Sequence, residues 1–193
     1  FSEYVKAFIL YARNRDLVQT KDLLLAALSK DSTRLDIMQE VGKIYYYMRD
    51  YESAYQYYKR FVDVREALQL EIYRTENAKI GVVYAELGLI DESNAFFEAY
   101  RTYAENDPSI YKHINLAFYY SYMSDQEKAI ENLKIFSEKQ HYHYWTLIFT
   151  PIDPLVDNIK DLPEFKKTFN KIEDKFWDWN KQMRASLEEE ALI

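Results

Sequence analysis

The sequence contains no cysteine, and only 3 of its 193 residues are glycine and 4 are proline. Without cysteine there is no disulfide framework, no thiolate metal site and no cysteine nucleophile, which favours a reducing compartment, so we expect a cytoplasmic protein. A protein with many β-strands needs glycine and proline at its turns, so their scarcity argues against that class. The sequence therefore predicts a mostly helical chain.

The chain also lacks long apolar runs and an excess of positive charge. No apolar stretch approaches the roughly 20 residues that a membrane-spanning helix needs, so we expect no membrane insertion. A formal net charge of −7 repels phosphate backbones, and no basic patch of convincing size offsets it. We therefore expect no nucleic-acid binding through this segment.

One pattern occurs four times along the chain. The segment Ala7 to Ser32, AFILYARNRDLVQTKDLLLAALSKDS, aligns with Val41 to Glu66, VGKIYYYMRDYESAYQYYKRFVDVRE, at an offset of 34 residues. The pattern returns in Ile80 to Tyr100 and in Leu116 to Phe136. In the last three copies an apolar residue precedes a small one and a tyrosine follows three positions later. Such a period indicates a repeated helical hairpin.

These positions resemble the signature of the tetratricopeptide repeat, a helix-turn-helix unit of about 34 residues. The resemblance is best in the second copy, whose signature residues are Val41, Gly42, Tyr45, Ala54 and Tyr58. The equivalent residues of the third and fourth copies are Ile80, Gly81, Tyr84, Ser93 and Phe97, then Leu116, Ala117, Tyr120, Ala129 and Leu133. The first copy departs from the pattern, with Phe8 and Thr20 where small residues are usual.

The resemblance implies an all-α fold, a right-handed solenoid of about four helical hairpins with a C-terminal capping helix. The repeats would occupy residues 1–34, 35–73, 74–109 and 110–143, followed by a connector and the capping helix in 144–193. Physical reasoning supports this fold, because a single hairpin cannot bury its apolar stripe alone and neighbouring hairpins complete its core. Small residues would let paired helices approach closely, and these are Gly42, Ala54, Gly81 and Ala129.

Turn signals fall where hairpin corners should lie. They are Arg49 with Asp50, the stretch from Gly88 to Asp91, and Ser124 with Asp125, whose aspartate is a candidate N-cap. The second and third copies are spaced five residues wider than the family period, and no glycine or proline lies between Phe61 and Lys79. We expect longer helices, not a loop, to absorb this insertion.

The last quarter of the chain differs from the repeats. Three of the four prolines follow Ser137 and indicate a bent connector. Beyond Pro163 apolar residues recur in steps of three and four, which predicts an amphipathic helix. The stretch DPLVDNIKDLPEF, Asp153 to Phe165, resembles the segment that closes such arrays in some bacterial multidomain regulators and nucleotide cyclases. This resemblance implies the C-terminal part of a larger bacterial regulatory or signalling protein.

Motifs of catalysis are missing. The sequence has no glycine-rich phosphate loop, no serine nucleophile elbow and no zinc-protease helix, so we predict no enzyme activity, no cofactor and no metal site. An enzyme or metal site near the connector, using His141, His143 and Asp153, is the least favoured hypothesis. A spacing of two residues separates the two histidines by about 200° on a helix.

A repeat array of this family offers a concave groove lined by the first helix of each hairpin. The family's groove pattern nominates Lys6, Ile9, Arg13, Gln39, Lys43, Tyr46, Tyr47, Lys79, Val82, Glu86, Ile114, Asn115, Phe118 and Tyr122. This mixture of lysines and aromatics indicates a protein or peptide partner with apolar anchors and acidic groups. Val5, Ile9 and Glu40 stand where a chaperone clamp would need Lys or Asn, which excludes that subclass. The groove could alternatively hold the C-terminal helix.

The C-terminal helix carries Phe176, Trp177 and Trp179 on more than one side. Either a wide intramolecular interface buries Trp177, or the residue marks a surface for a homodimer or another partner. The main hypothesis is a non-catalytic protein-interaction module. The alternative is a homo-oligomerisation scaffold that acts through the C-terminal helix.

Overall fold

A computed structural model of the chain describes residues 3–190, and within that range it contains helices but no strand. The prediction of an all-α chain is confirmed. The α-helices are α1 (Glu3–Asn14), α2 (Leu17–Lys30), α3 (Leu35–Tyr47), α4 (Tyr51–Ala67), α5 (Asn77–Glu86), α6 (Ile90–Asn106), α7 (Lys112–Tyr122), α8 (Gln126–Ser137), α9 (Tyr144–Phe149) and α10 (Pro163–Glu189). None of the helices in this range is long and apolar enough to cross a membrane.

The chain divides into two compact units, with the boundary between Tyr100 and Arg101, inside α6. In the first unit α1 packs on α2, α2 on α3, α3 on α4 and α4 on α5. In the second unit α7 packs on α8, and α10 packs on α8 and α9. Packing between neighbours in chain order is consistent with a helical repeat, and each of the four predicted repeats contains two helices. The predicted repeat boundaries stay a prediction.

Aspartate side chains start three of the helices. Asp16, Asp50 and Asp125 each accept a hydrogen bond from the backbone N–H three residues further on, at 2.9, 3.1 and 3.1 Å. Such caps satisfy a backbone donor that the first helical turn leaves unpaired. Asp50 and Asp125 follow the corner residues Arg49 and Ser124, whose φ angles are 61° and 62°. The predicted corners and the predicted N-cap at Asp125 are confirmed.

Two glycines allow the paired helices of the first unit to approach closely. A Cβ atom on Gly42 would lie 3.0 Å from the ring of Tyr58, and one on Gly81 would lie 2.8 Å from the ring of Phe97. Both rings are buried. The hydroxyl of Ser93 also donates a hydrogen bond to the carbonyl of Gly81, at 2.8 Å. The predicted close approach is therefore confirmed at these two positions.

The wider spacing after the second copy is absorbed partly by a longer helix and partly by a loop. Helix α4 has 17 residues, after which residues 68–73 lead to the 3₁₀ turn Arg74–Glu76. The expectation that no loop forms is wrong. Gln69 and Tyr73 adopt left-handed φ angles of 50° and 51°, so the chain turns there without glycine.

The connector and α10 cover different helices of the second unit. The 3₁₀ turn Pro154–Val156 packs against α7, and the amide of Asn158 donates a hydrogen bond to the carbonyl of Ser121 at 2.9 Å. Helix α10 lies against α8, and the hydroxyl of Tyr142 donates to the carbonyl of Ile172 at 2.5 Å. The predicted terminal helix is thus present, but it covers α8 while the connector covers α7.

Replacing Gly81 by alanine should destabilise the first unit by about 1–3 kcal/mol, because the new methyl group meets a buried ring that must move. This cost opposes the gain in helix propensity of up to about 1 kcal/mol that the same change brings. Urea unfolding followed by circular dichroism measures the difference.

A double-mutant cycle with Phe97→Leu is the matched control. The smaller side chain at position 97 should remove most of the cost of Gly81→Ala. An equal cost in both backgrounds would show that the ring contact does not set the helix spacing.

Candidate functional site

Helix α1 presents apolar side chains to solvent on the face nominated from the sequence. Ile9 is 54 % exposed, and Val5, one turn earlier on the same face, is 39 % exposed. Residues four apart lie on one side of a helix, so Val5 and Ile9 form a continuous apolar stripe. This stripe is an accessible apolar surface within the first unit.

Two cations flank this stripe. Lys6 and Arg13 are exposed. Neither forms an ion pair or a hydrogen bond with another described residue, although the charge of Lys6 acts on Glu3 one turn earlier. The acidic residue of the same helix, Glu3, is paired with Lys30. The exposed face of α1 is therefore apolar along its centre and positive at its edges, in a chain whose net charge is −7.

The nominated residues of α3 and α5 are less accessible than predicted. Tyr46 is fully buried and Tyr47 is 7 % exposed. Their rings lie 5.3 Å apart, and the ring of Tyr46 is 6.4 Å from that of Tyr51 at the start of α4. Gln39 and Val82 are buried too, whereas Glu86 is exposed. The two tyrosines are thus core residues that offer no surface to a partner.

Two of the nominated lysines, Lys43 of α3 and Lys79 of α5, belong to a buried network of charges that joins α3, α4 and α5. Lys43 donates a hydrogen bond to Glu40 at 2.7 Å, and its ammonium nitrogen is 3.9 Å from Oε1 of Glu76. The Nζ atom of Lys79 is 3.6 Å from the same Oε1. The hydroxyl of Tyr58 donates to the other oxygen of Glu76 at 3.0 Å. Two ammonium groups thus balance two carboxylates.

The network shifts the ionisation of its members. Burial would raise the pKa of Glu76, but the charges of Lys79 and Lys43 and the hydrogen bond from Tyr58 outweigh it and hold that pKa below its usual value. Burial would likewise lower the pKa of Lys43, but Glu40 and Glu76 raise it. Both groups are therefore charged at neutral pH. They bind each other, which leaves them little charge to offer a ligand.

In the second unit, the nominated residues of α7 are buried or half-buried. Ile114 and Asn115 are buried, and the amide of Asn115 donates to Asp107 at 3.3 Å. Phe118 and Tyr122 are half-buried. None of the four presents the degree of exposure seen at Ile9.

The C-terminal aromatics divide into a buried and an exposed part. The ring of Phe176 is buried and lies 5.6 Å from that of Tyr144. Trp179 is half-buried and meets the ring of His141 at 5.0 Å. Trp177 stays 47 % exposed although it touches Tyr144. The intramolecular interface therefore takes in Phe176 and Trp179 but does not bury Trp177.

The structure does not bring the connector's polar residues together. His141 packs on Trp179, His143 stacks on Tyr111 at 5.7 Å, and Asp153 accepts a hydrogen bond from the backbone N–H of Leu155. Among residues 3–190 no group of three His, Cys, Asp or Glu side chains is placed to hold a metal ion.

Comparison of the chain with protein-family models, with curated proteins and with solved structures finds no match.

The sequence pattern did not nominate Val5 as a binding residue, although it lies in the same stripe as Ile9. It also missed that Glu40 and Glu76 neutralise the lysines. The offset of 34 residues places Val5 and Ile9 in register with Gln39 and Lys43, so the apolar character of the first copy was visible. The pairing of Lys43 with Glu76 was not, because Glu76 lies in the next predicted repeat. The pairs of Glu40 with Lys43 and of Glu76 with Lys79 are only three residues apart along the sequence.

The buried carboxylate of Glu76 should make the first unit sensitive to acid. Its pKa is lower in the folded state than in the unfolded chain, where glutamate titrates near about 4.3. The stabilisation is therefore complete above that pH and is lost as the pH falls through the lower folded value. Unfolding free energies measured between about pH 3 and 7 should fall more steeply for the native chain than for Glu76→Gln.

At neutral pH Glu76→Gln should be destabilised by about 3 kcal/mol, because both lysines lose a buried counter-charge. Tyr58→Phe keeps the carboxylate and is the control, and it should retain the acid sensitivity. Identical pH profiles of Glu76→Gln and the native chain would contradict the assigned role.

Proposed function

We propose that this chain is a non-catalytic interaction module that binds an acidic, apolar segment of a protein partner on the exposed face of α1. The observation that carries the proposal is the stripe of Val5 and Ile9 beside the exposed cations Lys6 and Arg13. The module is a right-handed solenoid of about four tetratricopeptide-like repeats with a C-terminal cap. Its setting in a bacterial regulatory protein rests on the resemblance of the closing segment.

The chemistry of the face determines the class of partner. Two adjacent apolar side chains suit a segment with apolar anchors, such as an amphipathic helix or an extended peptide. The flanking cations favour carboxylates beside those anchors and disfavour basic segments. The lysines of α3 and α5 contribute little to this selection, because Glu40 and Glu76 already compensate them.

Binding can be tested with two synthetic helical peptides of equal length that share leucines four residues apart. One peptide carries glutamates beside the leucines, and the other carries lysines at the same positions. Fluorescence anisotropy should show saturable binding of the acidic peptide alone, with an affinity that falls as salt rises. Ile9→Glu and Arg13→Glu should each weaken that binding at least about tenfold.

Val18→Glu is the matched control, since Val18 is equally exposed at 52 % but lies on α2. It should bind the acidic peptide like the native chain. Equal binding of the two peptides, or equal losses with Val18→Glu and Ile9→Glu, would reject the α1 face as the site.

Self-association is a second candidate function, which the exposure of Trp177 favours. Trp145 is also 40 % exposed, and Tyr144 touches both indoles. A second copy of the chain would cover these side chains.

Sedimentation velocity at several concentrations should then show a dimer that Trp177→Ala dissociates. A monomer at every concentration would eliminate this candidate.

A further inference from the structure

A cleft of about 200 Å³ lies in the second unit between α10 and the chain that leads into α9. One wall is the face of α10 between Lys175 and Gln182. The other wall is the irregular segment from Gln140 to Tyr142, which precedes α9. The lining residues are Gln140, His141, Tyr142, Lys175, Phe176, Asp178, Trp179 and Gln182.

Aromatic rings form part of this cleft and are held in place. His141 and Trp179 meet at an interplanar angle of 82°, so their rings form a corner. His141 adopts a left-handed φ of 62°, a strained conformation for a residue other than glycine. Tyr142 is anchored through its hydroxyl to the carbonyl of Ile172 and lies 6.2 Å from Phe176. Pre-arranged rings of this kind suit a flat ligand with an apolar face.

The two charged residues of the cleft already have partners. The ammonium of Lys175 donates a hydrogen bond to the carbonyl of Ser137 at 2.8 Å and lies 4.0 Å from Glu138. Asp178 is 3.7 Å from the ammonium of Lys181. A charged ligand would therefore find little uncompensated charge of the opposite sign.

The polar groups of the cleft that remain available to a ligand are the neutral side-chain amides of two glutamines. The side chains of Gln140 and Gln182 are exposed and form no hydrogen bond with another described residue. Each amide offers both donors and an acceptor. Two such groups beside aromatic rings match a ring that is apolar on its face and carries hydroxyl groups around its edge.

We propose that this cleft binds a neutral sugar ring, which stacks against the aromatic corner and hydrogen-bonds through its hydroxyls to Gln140 and Gln182. The site lies in the second unit and includes no residue of α1. It therefore does not depend on the proposed peptide binding.

The chain's three tryptophans provide the test, because each gives one indole N–H signal in a ¹⁵N-labelled sample. Substitution of each tryptophan by phenylalanine assigns the signals. The probes are the methyl glycosides of glucose, galactose and mannose. At least one should shift the Trp179 signal saturably and leave the Trp145 and Trp177 signals in place. Gln140→Ala and Gln182→Ala should each weaken that glycoside's binding about five- to tenfold.

Gln56→Ala is the matched control, since this exposed glutamine lies on α4 in the first unit. It should leave glycoside binding unchanged. Tetramethylammonium and sulfate serve as charged probes and should leave the Trp179 signal in place. The proposal is overturned if no glycoside shifts that signal saturably, if a charged probe shifts it and the glycosides do not, or if both cleft variants bind like the native chain.

Discussion

The contact between an aromatic ring and a bare glycine backbone is the constraint on which the first unit depends. At Gly42 the ring of Tyr58 occupies the space that a side chain would fill, and Phe97 does the same at Gly81. Because Tyr58 lies so close to α3, its hydroxyl reaches Glu76 at the entrance to α5. Tight packing within one hairpin thereby positions a charge at the start of the next. That charge in turn holds Lys43 and Lys79.

This network explains why similar copies of one pattern present different surfaces. In the second copy the side chains of Gln39 and Lys43 both donate hydrogen bonds to Glu40, so the positive charge of Lys43 is balanced within the structure. In the first copy the same register holds Val5 and Ile9, which have no such partners and remain exposed. At these two register positions the second copy has polar side chains that pair with neighbouring groups, and the first copy has exposed apolar ones.

Two segments cover the helical hairpin of the second unit, α10 and the connector, where the sequence predicted α10 alone. The amphipathic stripe of α10 recurs in steps of three and four and packs on α8, a helix-on-helix contact that periodicity predicts well. Helix α7 is covered instead by the proline-containing turn Pro154–Val156, whose side chains are all buried. The connector bends between α9 and α10, which brings this turn against α7.

Local chemistry sufficed to predict the helical class, the corners at Asp50 and Asp125, the close approach at the glycines and the terminal helix. Each of these features depends on residues within a few turns of one another or on a short repeat period. Accessibility depended on contacts between distant segments. The same aromatic pattern that made Tyr46 a groove candidate left it fully buried, while Ile9 stayed in solvent. Whether a side chain is buried depends on which other helices pack against it. The position of a residue within one helix does not specify those helices.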